Sequence, residues 1–88
     1  MAESKDTLNA ERVKVIVAKI RCLDRFMADN SGKKMFGSDY DYIADMKDWV
    51  DKKNIAPTVR QAWRVEQIWN HITDRVELDF EDYMDTPV

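Results

Sequence analysis

The 88-residue sequence is poor in the residues that build most catalytic and metal sites: it has one cysteine, one histidine, two glycines and two prolines. The single cysteine, Cys22, excludes a disulfide within the chain. The two glycines are not clustered, so the sequence offers no glycine-rich loop to bind phosphate. The lone histidine, His71, has no cysteine or second histidine at the spacing of metal ligands, and no calcium-loop motif occurs. We therefore expect no metal and no cofactor.

The same absences argue against catalysis. An enzyme of this kind needs a nucleophile with its base, or a metal, gathered in a pocket. Cys22 has no evident partner in the sequence that would activate its thiol, and a small buried residue is the simpler interpretation of it. We predict that the protein is not an enzyme.

Long apolar runs are also missing. The N-terminal segment MAESKDTLNAE has no apolar run of signal-peptide length. No segment approaches the roughly 20 consecutive apolar residues that a membrane-spanning helix needs. We expect the protein to contact no membrane and to reside in a reducing cytoplasm.

The residue types that are frequent in the sequence favour helix. The sequence is 44% hydrophobic and 35% charged, which suits one small folded domain. Alanine, leucine, methionine, glutamate, lysine and arginine are frequent, and all of them favour helix. We predict an all-α fold, a three-helix bundle with helices at about residues 7–29, 39–53 and 58–76. Residues 1–76 form the helical domain, and residues 77–88 form an acidic C-terminal tail.

The first predicted helix has an unusually wide apolar surface. Its main stripe repeats at intervals of three and four residues and consists of Val13, Ile16, Val17, Ile20, Leu23 and Met27. The β-branched residues between Val13 and Val17 leave a strand as an alternative there. Asp6 or Thr7 can cap the helix. Val15, Cys22 and Phe26 lie on a flank of the stripe, so the helix either lies between two others or contacts a second copy, in which case a homodimer forms through this flank.

The second and third predicted helices are joined by a short connection, as in a helical hairpin. Ser38 can cap the second helix, and Thr58 with Gln61 forms a candidate capping box for the third. The predicted buried residues of the second helix are Tyr42, Ile43, Met46, Trp49 and Val50. Those of the third are Ala62, Val65, Ile68, Trp69, Ile72 and Val76.

One face of the third helix combines an aromatic ring with basic and polar groups. Its residues share a face by their spacing and are Arg60, Trp63, Arg64, Gln67 and His71, with Lys52 and Lys53 as possible neighbours. A tryptophan beside guanidinium groups can stack on an unpaired base while the arginines contact phosphates. In the alternative interpretation Trp63 belongs to the core and the arginines pair with acids of the neighbouring helix.

The C-terminal tail is strongly acidic. From residue 77 onward it has five acids and no base, so the net charge of −3 comes from a basic body and an acidic end. Its acids and aromatics can dock in a basic, partly apolar groove of another protein. The predicted protein-binding residues are Asp79, Phe80, Glu81, Asp82, Tyr83 and Asp85. The alternatives are a solvated end, a cover over the chain's own basic face, and an extension of the third helix that packs on the body.

The second and third helices also support a resemblance. In order they contain Phe36, the pair Tyr42 and Ile43, Met46, Trp49, the turn Ile55-Ala56-Pro57, Gln61, Val65 and Ile68. This order, over residues 36–70, is similar to a small helical-hairpin module of tailed-phage proteins, among them small products of replication and recombination regions. The module prefers a Ser or Thr cap where this chain has Ala56. The resemblance implies a small phage-like accessory protein linked to DNA transactions, with no catalytic residue.

Two functions follow as hypotheses. The first is a non-enzymatic phage-like accessory protein that acts by protein–protein interaction, such as an inhibitor or adaptor of a host or replication complex. Its partner is a host or phage protein, in the cytoplasm of an infected bacterium. The alternative is an accessory module that binds single-stranded nucleic acid in phage replication or recombination.

Overall fold

A computed structural model of the chain describes residues 8–84, and every regular element within them is helical. The α-helices are α1 (Ala10–Asp29), α2 (Lys33–Phe36), α3 (Ser38–Lys53) and α4 (Val59–Thr73). A 3-10 helix at Phe80–Tyr83 follows them. The all-α prediction is confirmed. Three predicted helices correspond to α1, α3 and α4, whereas the one-turn helix α2 and the 3-10 helix were not predicted.

Helix α1 is the central element, because it contacts α2, α3, α4 and the 3-10 helix. Its predicted stripe faces inward, and Ile20, Leu23 and Met27 are fully buried. The opposing core residues are Ile43, Met46 and Val50 of α3 and Ala62, Val65, Ile68, Trp69 and Ile72 of α4. Residues 13–17 lie inside α1, so the strand alternative was wrong.

Helix α1 begins later than predicted. Its N-cap is Asn9, whose side-chain oxygen accepts from the Arg12 N–H at 2.9 Å. An amide oxygen at this position satisfies an N–H group that has no partner within the helix. The predicted caps Asp6 and Thr7 lie outside the described residues.

Two glycines shape the chain between α1 and α3. Gly32 has φ +48° and Gly37 has φ +59°, a region of backbone conformation that residues with a Cβ rarely adopt. Gly37 precedes α3, and no side chain caps this end. The predicted Ser38 cap was therefore wrong, because Ser38 is already the first residue of the helix. Between the glycines, Phe36 of α2 packs on Phe26 with ring centroids 5.9 Å apart.

The start of α4 follows local sequence rules. The Thr58 hydroxyl accepts from the Gln61 N–H at 3.2 Å, and the Gln61 side chain accepts from the Thr58 N–H at 2.8 Å. This reciprocal pair is the predicted capping box. Helix α4 ends at Thr73, three residues before the predicted end at 76, and Val76 is exposed.

The C-terminal segment folds back onto the helices. Leu78, Phe80 and Tyr83 are half-buried against the core. The Phe80 ring meets the edge of Trp69 at a centroid distance of 5.6 Å. Cys22 Sγ of α1 lies 3.9 Å from the Asp79 carbonyl oxygen. Of the alternatives for the tail, packing on the body holds for these residues, without an extension of α4.

The length and hydropathy of the helices also bear on membranes. Among residues 8–84, no helix is long and apolar enough to cross one.

Candidate interaction surface

The predicted face of α4 is exposed to solvent. Trp63 exposes 63% of its surface, and Arg60, Arg64, Gln67 and His71 are exposed beside it. The helical geometry explains this exposure. At about 100° per residue, the burial of Ala62 and Val65 turns Trp63 away from the core. Of the two interpretations of Trp63, the one that places it on the surface is therefore correct.

The two arginines next to Trp63 differ in their contacts. Arg64 donates to the Asp39 carboxylate at 3.3 Å, and its guanidinium lies 5.2 Å from the centre of the Tyr42 ring. Burial raises the pKa of Tyr42, and the charge of Arg64 opposes that rise. Arg60 has no ion pair with any residue among 8–84. The charge of Arg64 is thus partly satisfied within the chain, whereas no residue among 8–84 pairs with the charge of Arg60.

A continuous depression runs beside this face. A shallow part is lined by Asp39, Trp63, Arg64, Gln67, Ile68 and His71. A deeper part, with a volume of about 350 Å³, is lined by Phe26, Asn30, Met35, Phe36, Asp39, His71, Ile72, Arg75 and Val76. Asp39 and His71 line both parts, so the two parts lie next to each other. We call the combined surface the Trp63 groove.

Most of the deeper part was not predicted. Met35 exposes 69% of its surface and Val76 exposes 39%, so apolar side chains reach solvent at the rim of the groove. Met35 belongs to α2, whose single turn leaves no periodic pattern that could reveal it. The only local signal is the pair of glycines that enclose the turn, Gly32 and Gly37.

The structure does not bring the predicted lysines to this groove. Lys52 Nζ lies 3.7 Å from the Asp48 carboxylate, and Lys53 Nζ lies 5.4 Å from the ring centre of Trp49. Both contacts are within α3, and neither lysine is among the residues that line the groove. Trp49 was predicted to be buried, but it is 40% exposed near the end of α3.

The predicted protein-binding residues of the tail divide into two groups. Phe80 and Tyr83 are half-buried against the chain's own core, so the predicted aromatic anchors are engaged within the molecule. Asp79, Glu81 and Asp82 are exposed, and the Asp79 carboxylate accepts from the Glu81 N–H at 2.9 Å. Asp85 lies outside the described residues. The tail is consequently a weaker candidate for partner binding than the Trp63 groove.

The flank of α1 that was predicted to form a homodimer is largely covered within the chain. Cys22 is 5% exposed beneath the C-terminal segment, and Phe26 packs on Phe36. Val15 is half-buried. Burial raises the pKa of the Cys22 thiol, and the nearby carboxylates of Asp79 and Asp82 raise it further. A second copy could reach Cys22 only if the C-terminal segment moved away.

The spacing of His, Cys, Asp and Glu side chains within residues 8–84 bears on metal binding. There, no group of three or more His, Cys, Asp or Glu side chains is placed to hold a metal ion.

Comparison with known proteins gives no relative. No protein-family model, no curated protein and no solved structure matches the chain. What the fold and the surface define is a small all-α domain with an exposed aromatic and basic groove on its fourth helix.

Proposed function

We propose that this chain is a non-enzymatic protein-interaction module, an inhibitor or adaptor whose binding surface is the Trp63 groove. One observation carries the proposal: Trp63 is 63% exposed in a depression that shares Asp39 and His71 with an apolar cavity of about 350 Å³. Solvent-exposed tryptophan beside a groove is costly to leave uncovered and is typical of binding surfaces.

The composition of the groove suits a protein partner. Tryptophan and arginine are the residue types that most often dominate binding energy, and here they surround an apolar centre made by Met35, Ile72 and Val76. Covering the exposed part of the indole ring would contribute about 3 kcal/mol by area burial. Arg75 also lines this part of the groove, where its charge selects partners more than it adds affinity.

The setting of this activity rests on the resemblance described above. Similarity to a helical-hairpin module of tailed-phage proteins supports a host or phage protein as the partner, within a replication complex or another host complex in an infected bacterium.

Affinity capture from a bacterial lysate tests the proposal. The baits are the full chain, Trp63→Ala and Trp49→Ala; the last is the matched control, because Trp49 is also exposed but does not line the groove. We expect at least one protein to be retained by the full chain and by Trp49→Ala and to be lost with Trp63→Ala. Retention of every captured protein by Trp63→Ala, or capture of none, would contradict the proposal.

Binding of single-stranded nucleic acid is the second candidate, favoured by the position of Trp63 between Arg60 and Arg64. The ion pair of Arg64 with Asp39 and the contacts of Lys52 and Lys53 within α3 leave few free cations for phosphates. Tryptophan fluorescence during titration with a single-stranded oligonucleotide distinguishes the two. Quenching that weakens steeply with salt supports nucleic acid, since each phosphate contact releases a counterion. A flat titration supports the protein-interaction proposal.

A further inference from the structure

Helix α4 carries two tryptophans on different faces, and only one of them is covered. Trp69 is buried, with Phe80 of the C-terminal segment against its edge. Lys19 of α1 lies at the same junction: its Nζ is 5.4 Å from the centre of the Trp69 ring and 5.2 Å from that of Phe80. The Lys19 ammonium is paired with the Glu66 carboxylate at 2.7 Å, so the C-terminal segment covers Trp69 through the Phe80 ring and not through its acids.

The Trp63 groove repeats this chemistry without a cover among residues 8–84. It presents the Trp63 ring and Arg64 in one part, and an apolar floor with Arg75 in the other. The one acid that lines it, Asp39, is paired with Arg64. Arg75 has no ion pair within the described part of the chain. The groove therefore has unpaired positive charge around an apolar centre.

We propose that the Trp63 groove binds an acidic segment of another protein through an aromatic or aliphatic anchor residue. The anchor enters the apolar part between Met35, Ile72 and Val76, and a carboxylate beside the anchor meets Arg75. Charge complementarity selects this occupant, because the unpaired guanidinium of Arg75 in the lining favours acids and disfavours bases. This inference rests on the proposed protein-interaction function and specifies the class of partner.

Among the described residues, the acidic C-terminal segment is not the occupant of the groove, because Phe80 packs against Trp69 and both Phe80 and Tyr83 pack on the chain's own core. A second copy presents the same engaged segment. A segment of a different protein is therefore the proposed occupant.

The first experiment selects ligands without assuming their sequence. A displayed library of random peptides is selected on the full chain, and the binders are sequenced. We expect enrichment of peptides that combine several carboxylates with an aromatic or aliphatic residue. If binders are enriched without any preference for acids, the inference fails while the proposed function survives. If no peptide is enriched, both fail.

The second experiment locates the binding. The chain has three tryptophans, so its ¹⁵N spectrum has three indole N–H signals, and Trp63→Phe identifies the one from Trp63. A selected acidic peptide should shift the Trp63 signal and leave the Trp69 signal in place. A shift of Trp69 instead would mean that the peptide displaces the tail, and would overturn the inference.

A charge substitution tests the role of the unpaired arginine that lines the groove. Arg75→Gln should weaken binding of the acidic peptide about tenfold, the loss expected for a charge pair at an interface. Lys14→Gln removes the same charge from an exposed site on α1 that does not line the groove, and should leave affinity unchanged. Equal effects of both substitutions would show that net charge alone explains the attraction between the peptide and the chain. A single-stranded oligonucleotide that shifts the Trp63 signal more strongly than the peptide would point to nucleic acid. Either result overturns the inference.

Discussion

At the scale of single residues, Cys22 reports on the packing of the C-terminal segment. Its thiol is almost completely buried on α1, and the Asp79 backbone lies directly over it. Burial, followed by the charges of Asp79 and Asp82, raises the thiol pKa. The thiolate is the reactive form of cysteine, so this environment suppresses its reactivity. Reactivity at Cys22 therefore measures how often the tail opens.

The first prediction concerns the pH dependence of stability. Because the pKa of Cys22 is higher in the folded state, the unfolded chain loses its thiol proton first as pH rises, and the folded state loses stability. We expect the full stability below about pH 8 and a decrease above it, since the ordinary thiol pKa is about 8.5. Urea denaturation at neutral and alkaline pH, compared with Cys22→Ala, isolates this effect. A pH-independent difference between the two proteins would contradict it.

The three tryptophans illustrate what residue type alone can predict. Trp69 follows the stripe of α4 and is buried, as predicted. Trp49 follows the stripe of α3 equally well, yet it is 40% exposed near the end of the helix. The sequence left undecided whether Trp63 lies in the core or on the surface, because tryptophan is large, partly polar and common in both places. Periodicity gives the direction of a side chain, but not whether another element covers it.

At the scale of elements, local hydrogen bonds determine the helix ends. The capping box of Thr58 and Gln61 was predictable, because its two partners are three residues apart and need no tertiary contact. The start of α3 was not, because Gly37 takes a backbone conformation with φ +59° and ψ −132° that a sequence rule for serine caps does not foresee. The same residue type, a hydroxyl side chain before an apolar stripe, has different roles at the two sites.

The second prediction compares these two helix starts. Thr58→Ala should destabilise the fold by about 1 kcal/mol, because it leaves a helix N–H group without its acceptor. Ser38→Ala should change stability by no more than about 0.5 kcal/mol, since Ser38 is an exposed residue inside the first turn that caps nothing. Urea denaturation of both variants beside the parent chain measures the difference. Equal destabilisation by the two substitutions would contradict the assignment of the caps.

At the scale of the whole molecule, the helices and the core were predictable and the candidate site was predictable in part. The stripes of α1 and α4 follow from neighbours within each helix, so periodicity finds them. The docking of the C-terminal segment cannot be found from periodicity, because Asp79 and Cys22 lie 57 positions apart in the sequence. The exposed face of α4 that includes Trp63 was predicted from the spacing of its residues alone. The apolar half of the groove is lined by residues of α1, α2 and the end of α4 together, an arrangement that no local pattern encodes.

The third prediction concerns self-association of the whole chain. A homodimer through Val15, Cys22 and Phe26 requires that flank of α1 to be free, but the C-terminal segment covers Cys22. We expect the full chain to sediment as a monomer. A chain that ends at Val76 lacks Leu78, Phe80 and Tyr83, which pack against the core. The apolar area that they cover is then exposed, and a second copy can bury it. We expect this shortened chain to sediment as a dimer. A chain that ends at Met84 keeps the 3-10 helix and is the matched control, expected to stay monomeric. Dimers of the full chain, or a folded chain ending at Val76 that stays monomeric, would show that the tail does not govern this flank.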